Sequence, residues 1–448
     1  MDRSYDLVVI GTGVASKAAG LCRQAGWTVA VVDSRPFGGT CALRGCIPKK
    51  FLVSAADAVN AARALVGKGL RATDISIDWP ELIGVKRAIT DPVPPRTEQG
   101  YHTAGIEAFH GRAKFIGPTT LAVGDDRLTG RRILIAAGAV PRPLTFPGAE
   151  HVATSEDFME LDRLPGSIIF IGGGYVSFEF AHVAARAGAQ VTIVHRGRRP
   201  LENFDPDLVD QLVKRTRELG IRLELGAEVC GVERMARRIA VRATVGSTEQ
   251  RVEAELAIHG AGRIPDIDDL ALDTAGIKRE RRGVLVNDFL QSVSNPAVYA
   301  AGDAAAGAPP LTPVADHQSD VVATNLLEGN RRKPNYAGLA NAVFTLPPLA
   351  SVGLTETAAR EQGVRFRVRR EDTSGWLATR RVGETTSGSK VLIEEESGRI
   401  LGAHLFGPHA DEVINVFALA IHFGIRADDL RQVLFAYPTN ASDIPYML

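Results

Sequence analysis

The sequence predicts an α/β fold built from two strand–glycine turn–helix–strand units and completed by a C-terminal α+β module. Three observations predict it. A continuous apolar run, YDLVVI, opens the chain and leads into the turn Gly11-Thr12-Gly13-Val14-Ala15-Ser16. The same plan returns at Ser167, where SIIFI leads into Gly172-Gly173-Gly174-Tyr175-Val176-Ser177. Beyond about residue 336 the pattern changes to separate strand-like segments and one long apolar helix. Apolar runs of this kind fit parallel strands buried on both faces. A duplicated unit of this plan marks two Rossmann-like dinucleotide-binding domains.

The elements follow in order. After the first turn come a helix over ASKAAGLCRQAG and a strand, TVAVVD, ending at Asp33. Residues 85–105 read as helical and residues 106–135 as short strands separated by Gly, Pro and Asp turns. ILIAAG closes that stretch, and Pro141, Pro143 and Pro147 punctuate a linker. The second turn is followed by a helix over SFEFAHVAARAG and the strand QVTIVH. HGAGRIPDIDDL and VYAAGD read as apolar strands ending in glycine turns. The C-terminal module has strands at NAVFT, KVLIEEE and ILGAHLFG, then a helix over ADEVINVFALAIHFG.

A chain of 448 residues is too long for one ordinary core. Its 45% apolar and 23% charged residues are ordinary for a globular protein. The formal net charge of zero removes the electrostatic case for nucleic acid or an anionic membrane as partner. The first residues carry charge rather than an apolar leader, and no apolar run reaches about 18 residues, so a cytoplasmic location is expected. Four cysteines, Cys22, Cys41, Cys46 and Cys230, are too few for a disulfide scaffold of this size. Cys22 and Cys230 read as core thiols. The histidines have no H-x-x-x-H spacing, and no metal site is expected.

Chemistry concentrates in three places. Each glycine turn precedes a helix whose free N–H groups and positive dipole end can meet a pyrophosphate. Both turns carry serine, Ser16 or Ser177, where the fingerprint has its third glycine, a small enough residue for close helix packing. Asp33, about 20 residues beyond the first glycine, is placed to accept from ribose hydroxyls, and the first site reads as FAD. The second unit has no acid there. His195, Arg196, Arg198 and Arg199 crowd the position instead, and guanidinium groups suit a 2′-phosphate by charge and geometry, so this site reads as NADP. Finally, Cys41 and Cys46 lie in a glycine-rich segment beside Lys49 and Lys50. A helix N-terminus and positive charge there would favour the thiolate, the setting of a dithiol/disulfide couple.

That segment, GGTCALRGCIPKK, resembles the GGTCxNxGCxP[SK]K active-site stretch of the flavin-dependent pyridine nucleotide-disulfide oxidoreductases. The family includes glutathione reductase, dihydrolipoamide dehydrogenase and mercuric reductase. ILIAAG and AGRIPDIDDL are similar to its strands beside the nucleotide domain. Ala301-Gly302-Asp303 with Leu311-Thr312-Pro313-Val314-Ala315 resembles its second FAD segment, and VGLTETAA with ILGAHLFGPHADEVIN its dimer-interface domain.

The resemblance implies a FAD domain over 1–145 and 266–335, an NAD(P) domain over 146–265 and a dimerisation domain over 336–448. FAD would be held by Gly11, Gly13, Val14, Ala15, Asp33 and Ser34, by Gly39, Thr40 and Lys49, and by Ala137 and Gly138. The second segment would add Gly302, Asp303 on the ribityl chain, Leu311, Thr312, Pro313 and Ala315. NADP, with NADPH preferred over NADH, would meet Gly172, Gly174, Tyr175, Val176, His195, Arg196, Arg199, Gly262 and Arg263. Cys41 would be the interchange thiol and Cys46 the sulfur against the flavin. Lys50, or Lys49, would pair with Glu179 near flavin N5, and Tyr175 would cover the flavin until nicotinamide displaces it. A homodimer is implied because the residues around Tyr437 would complete the partner's site.

One departure is chemically large. The disulfide-reducing members carry an HPTxxE segment, and this chain reads Tyr437-Pro438-Thr439-Asn440-Ala441-Ser442-Asp443. Tyr437 stands for the histidine base and Asp443 for the glutamate that orients it. Histidine titrates near about 6.5 and tyrosine near about 10, so tyrosine is a poor base at neutral pH although it can donate a proton. The chain also ends DIPYML, without the vicinal cysteines of mercuric reductase. The expected activity is NADPH-dependent reduction of a small-molecule or protein disulfide. The alternatives are reduction of quinones or metal ions at the flavin, and a flavin-binding sensor without turnover.

Overall fold

The strand Asp2–Ile10 has no polar face in its second half. Leu7, Val8 and Val9 are fully buried, so both sides of the strand need cover. The computed structural model, which describes residues 1–71 and 73–448, provides it. Asp2–Ile10 lies parallel between Val29–Asp33 and Asp126–Ile135, with Val9 opposite Val31 and Leu134. Glu107–His110 adds a parallel strand beyond Val29–Asp33. The outer edge of Asp126–Ile135 is shared, with Thr120–Val123 antiparallel along its start and Val298–Ala300 parallel along its end. Strand alternation sends Leu7 and Val9 against the helices Ala18–Gln24 and Thr312–Glu328. Val8 and Ile10 pack on the other face with Ile267, Leu270 and Val284.

Two local departures from the sequence reading have simple causes. The first helix is preceded by a 3₁₀ turn over Val14–Lys17, because Ser16 Oγ donates to the Gly13 carbonyl at 2.6 Å and tightens the entry. The stretch expected as one helix over 85–105 is two helices, Trp79–Thr90 and Val93–Ala104. Pro92, which lacks an N–H, stands at the break.

By density of contacts the chain divides into two units, Met1–Lys50 with Gly84–Arg142 and Gly262–Asn335, and Phe51–Ile83 with Pro143–Ala261 and Tyr336–Leu448. The second holds a parallel sheet ordered Arg222–Leu225, Gln190–His195, Ser167–Ile171 and Leu256–His259. It also holds a three-stranded antiparallel sheet, Ala227–Arg234, Ile239–Val245 and Thr248–Ala254, which the sequence reading did not name. Its apolar face closes on Ile169, Ile171 and Val194. The C-terminal sheet is antiparallel, ordered Ala340–Val343, Leu349–Gly353, Ile400–Phe406, Gly388–Glu394 and Phe366–Asp372, and is covered by the helix Ala410–Phe423. No helix among the described residues is long and apolar enough to cross a membrane.

Buried polar groups tie this second unit together. The helix Tyr175–Arg186 turns Glu179, His182 and Arg186 to one side, the spacing of neighbours on a helix face. Glu179 Oε1 accepts from the Phe344 N–H at 2.9 Å, His182 Nδ1 from the Leu346 N–H at 3.1 Å, and Arg186 donates to the Leu346 carbonyl at 2.8 Å. Burial holds the His182 imidazole neutral, well below its usual titration range. Lys390, only 4% exposed, meets Asp205 and Asp207 at 2.9 Å and Glu356 at 2.7 Å. Burial alone would push its ammonium down, and the three carboxylates more than offset it.

Lys390→Met removes a cation from beside the fully buried Asp205, a change that costs about 3–5 kcal/mol when one charge is left unpaired. Urea unfolding of the variant is expected to show that loss. A change below about 1 kcal/mol would contradict the pairing as described.

Candidate functional site

The first glycine turn is defined by what it leaves no room for. Gly11 has φ +101°, and a Cβ there would fall 2.3 Å from the Ala136 carbonyl oxygen. Its N–H donates to the Val32 carbonyl at 2.7 Å. The Thr12 N–H and hydroxyl both donate to Asp33 Oδ2, at 2.9 and 2.7 Å, and the Arg35 N–H donates to Oδ1. A carboxylate accepts about four hydrogen bonds, so Asp33 keeps capacity for a ribose hydroxyl. Thr12 escaped the sequence reading, although a hydroxyl inside a glycine turn is a usable signal.

The thiol segment is pressed onto this turn. Gly39 has φ +72°, and a Cβ on it would fall 2.3 Å from Gly13 Cα. From there the chain runs through the helix Gly39–Arg44, which carries Cys41, into the helix Cys46–Ala64, of which Cys46 is the first residue. The thiols hydrogen-bond to one another, and Thr312 joins both. Its hydroxyl donates to Cys41 Sγ at 3.4 Å and lies 3.4 Å from Cys46 Sγ. The resemblance placed Thr312 only among flavin contacts. Its place against both sulfurs is new.

One expectation needs correction. Lysines and a helix dipole were to favour the thiolate, yet the Cys41 thiol is pushed up strongly, first by its hydrogen bond with Cys46 and then by burial. The Thr312 hydroxyl opposes that shift. Lys49 is buried and Lys50 exposed.

The segment that resembles the family's second FAD stretch is held by its own side chains. The Gly302 N–H donates to Gln318 Oε1 at 2.7 Å, and Asp303 is raised by burial against the pull of Arg263. Arg263 lies in the short strand Arg263–Pro265, paired with Ala139–Pro141, and donates to the Ala139 carbonyl at 2.5 Å. Its guanidinium thus bonds a backbone carbonyl and acts on Asp303 through charge, where a nucleotide phosphate was expected. Gly262 accepts from the Arg142 N–H at 3.0 Å. His317 accepts from the Asn335 N–H at 3.0 Å.

The second glycine turn repeats the first. Gly172 has φ +115°, and a Cβ there would fall 2.4 Å from the Gly260 carbonyl oxygen. Gly174 caps the helix that Tyr175 and Val176 begin. Ser177 packs so closely on Gly260 that a Cβ there would fall 2.0 Å from its Oγ. The ring of His195 covers Gly173 and Gly197, and its Nε2 meets the Arg199 carbonyl at 3.2 Å. Burial lowers its titration. Arg196 and Arg198 are exposed, and Arg199 pairs with Asp210 at 3.2 Å. Tyr175 is half exposed, and Glu179 is buried.

Tyr437 and Asp443 do not meet. The Tyr437 side chain is 80% exposed, and no hydrogen bond among the described residues joins it to Asp443. A capped turn, Thr439 with Ser442, sends Asp443 instead toward a cavity of about 40 Å³ lined also by Trp376, Thr379, Asn440 and Met447. Burial there raises its carboxyl, against Arg381. The expected orienting pair is thereby corrected.

The residues of the first unit fit a bound FAD: two abutting glycine turns, an acid at the strand end, and a second glycine segment tied to Gln318. Bound there, FAD supplies two-electron exchange between a nicotinamide and a dithiol. Two dinucleotide units and a thiol pair set against the first of them define a flavin- and nicotinamide-dependent oxidoreductase. The chain belongs to the pyridine nucleotide-disulphide oxidoreductase family, whose profile matches residues 5–319, with the dimerisation domain of that family at residues 339–447. The family is FAD-dependent and uses a pyridine nucleotide, and the dimerisation domain supports a homodimer.

The chain is 32% identical to a glutathione reductase of Burkholderia cepacia, over 98% of this chain and 97% of that one. It is 30% identical to a mercuric reductase of Staphylococcus aureus, over 99% and 82%, and to a dihydrolipoyl dehydrogenase of Chlamydia muridarum, over 98% and 95%. Among solved structures, the Cu(II) complex of the HOCl-induced flavoprotein disulfide reductase RclA from Escherichia coli superposes with a TM-score of 0.88 at 26% identity, covering 99% of each chain.

Gly39→Val combines a strained positive φ, costing about 1–3 kcal/mol, with a clash against Gly13. Flavin absorbance of the purified variant is expected to show at least a tenfold loss of FAD affinity, equivalent to about 1.4 kcal/mol. Undiminished flavin content would contradict the abutting-turn account.

Proposed function

We propose that this enzyme passes electrons from NADPH, through FAD and the Cys41–Cys46 pair, to a disulfide, as a glutathione-reductase-like enzyme of the cytoplasm. The contact of the two thiols with each other and with Thr312 is the observation that carries this reading. Cys41 is the interchange thiol and Cys46 the sulfur that faces the flavin. Lys50 with Glu179 flanks flavin N5, Tyr175 covers the ring, and Tyr437 serves the partner's site as a proton donor. Preference for NADPH is supported by Arg196 and Arg198, both exposed beyond the second glycine turn where an acid would favour the unphosphorylated ribose. Arg199 shares its charge with Asp210 and contributes less.

A second reading, reduction of a metal ion, has support in Tyr437, which leaves the thiols without the histidine that disulfide reduction uses. A mercuric reductase among the relatives and the copper complex of the structural neighbour bear on it too. Disulfide reduction is favoured because the glutathione reductase matches over nearly all of both chains.

The test is steady-state turnover of a panel of disulfides, quinones and metal ions by wild type and Cys41→Ser. Disulfide turnover with NADPH that falls by at least about a thousandfold in the variant is expected, since a nucleophile is removed. Quinone or metal turnover that survives Cys41→Ser at the wild-type rate would replace this reading with flavin-only reduction. Equal kcat/KM for NADH and NADPH would overturn the 2′-phosphate assignment.

A further inference from the structure

Cys41, Cys46 and Thr312 form a closed triangle of proton-bearing groups. The Thr312 hydroxyl lies 3.4 Å from each sulfur, and the thiols hydrogen-bond to each other. Each corner is fixed differently. Thr312 opens the helix Thr312–Glu328, and its β-branch restricts the hydroxyl to few rotamers. Cys46 opens the helix Cys46–Ala64, where negative charge gains from the dipole. Cys41 lies partly buried within the short helix Gly39–Arg44, and apart from burial the groups that act on its thiol are Cys46 and Thr312.

This placement creates a chemical problem that the triangle can solve. An attacking Cys41 must be a thiolate, yet its surroundings favour the thiol, while Cys46 stands at a helix start, where the dipole favours negative charge. Thiols are weak donors and weak acceptors, so the direct contact between the sulfurs moves a proton poorly. A hydroxyl that donates to a thiolate makes a charge-assisted bond, roughly twice as strong as a neutral one.

We infer that Thr312 relays a proton from Cys41 to Cys46 and so supplies the attacking thiolate without an external base. The inference rests on the reading of Cys41 as the attacking sulfur. It begins from the reduced pair holding one proton, with the thiolate on Cys46 and the thiol on Cys41. The Cys41 S–H bond breaks as Thr312 Oγ takes that proton, and the Thr312 O–H bond breaks as Cys46 Sγ takes the other. Thr312 ends as a hydroxyl, Cys41 as a thiolate and Cys46 as a thiol. No electron, atom or net charge is gained or lost. The relay also removes the need for Tyr437 to act as a base, which a phenol does poorly at neutral pH.

The experiment is iodoacetamide trapping of the reduced holoenzyme, with alkylation at Cys41 and Cys46 followed separately by mass spectrometry. Thr312→Val, which removes the hydroxyl and keeps the shape, is expected to slow alkylation at Cys41 about tenfold or more, the scale of one lost hydrogen bond to a charged group. Thr312→Ser restores the hydroxyl and is expected to stay within about threefold of wild type. Equal Cys41 rates in wild type and the valine variant would overturn the relay. A second variant covers a valine variant that fails to fold. Thr312→Ala, which removes the hydroxyl with less bulk, is expected to slow Cys41 alkylation by the same factor, and a wild-type rate in it would overturn the relay. The underlying reading fails separately, if Cys41→Ser keeps full disulfide turnover.

Discussion

The approach of Gly39 to Gly13 is the constraint on which the site depends. No side chain fits between those two backbones, since a Cβ on Gly39 would fall 2.3 Å from Gly13 Cα. The segment bearing both thiols is thereby held against the first glycine turn. Everything downstream inherits this placement: the start of the helix Cys46–Ala64, the position of Cys41 within its own short helix, and the reach of Thr312 to both sulfurs. Glycine serves here for its missing side chain as much as for its positive φ.

The second unit meets the same demand for fixed geometry with buried polar groups. One helix begins at the glycine turn with Tyr175 and carries Glu179, His182 and Arg186 along a single face. All three bond to backbone groups of Phe344 or Leu346, at the entry to the C-terminal sheet. Lys390 repeats the device from that sheet toward Asp205, the residue that caps the helix Pro206–Glu218. Such networks are costly to leave half satisfied, which makes them effective at specifying one arrangement. The helix Tyr175–Arg186 and the C-terminal sheet are therefore tied together by hydrogen bonds within this unit.

Much of this was legible in the sequence where a residue's neighbours are local. The parallel strands were readable because burial on both faces leaves an unbroken apolar run, as in Leu7–Ile10 and Ser167–Ile171. The glycine turns, Asp33 and the cysteine pair were readable because their spacing is itself the signal. Phe366–Asp372 was not, since an edge strand with exposed Arg367, Arg369 and Arg370 has little apolar pattern. The three-stranded sheet over Ala227–Ala254 was missed for a similar reason, its alternation being diluted by charge. Thr312 lies 271 residues from Cys41 in the chain, and no local pattern predicts that contact. Asp443 was misread through the resemblance: counted from Tyr437, the glutamate of HPTxxE falls at Ser442, and the capped turn at Thr439 directs Asp443 elsewhere.

The central claim is that Cys41 and Cys46 exchange two electrons with a nicotinamide through the bound flavin. The most direct measurement takes oxidised enzyme under anaerobic conditions, adds one equivalent of NADPH, alkylates, and maps the label on all four cysteines by mass spectrometry. The account predicts that Cys41 and Cys46 resist label before NADPH and that Cys41 becomes the most reactive position after it, with Cys22 and Cys230 unchanged. Labelling of Cys41 that is the same with and without NADPH would contradict it.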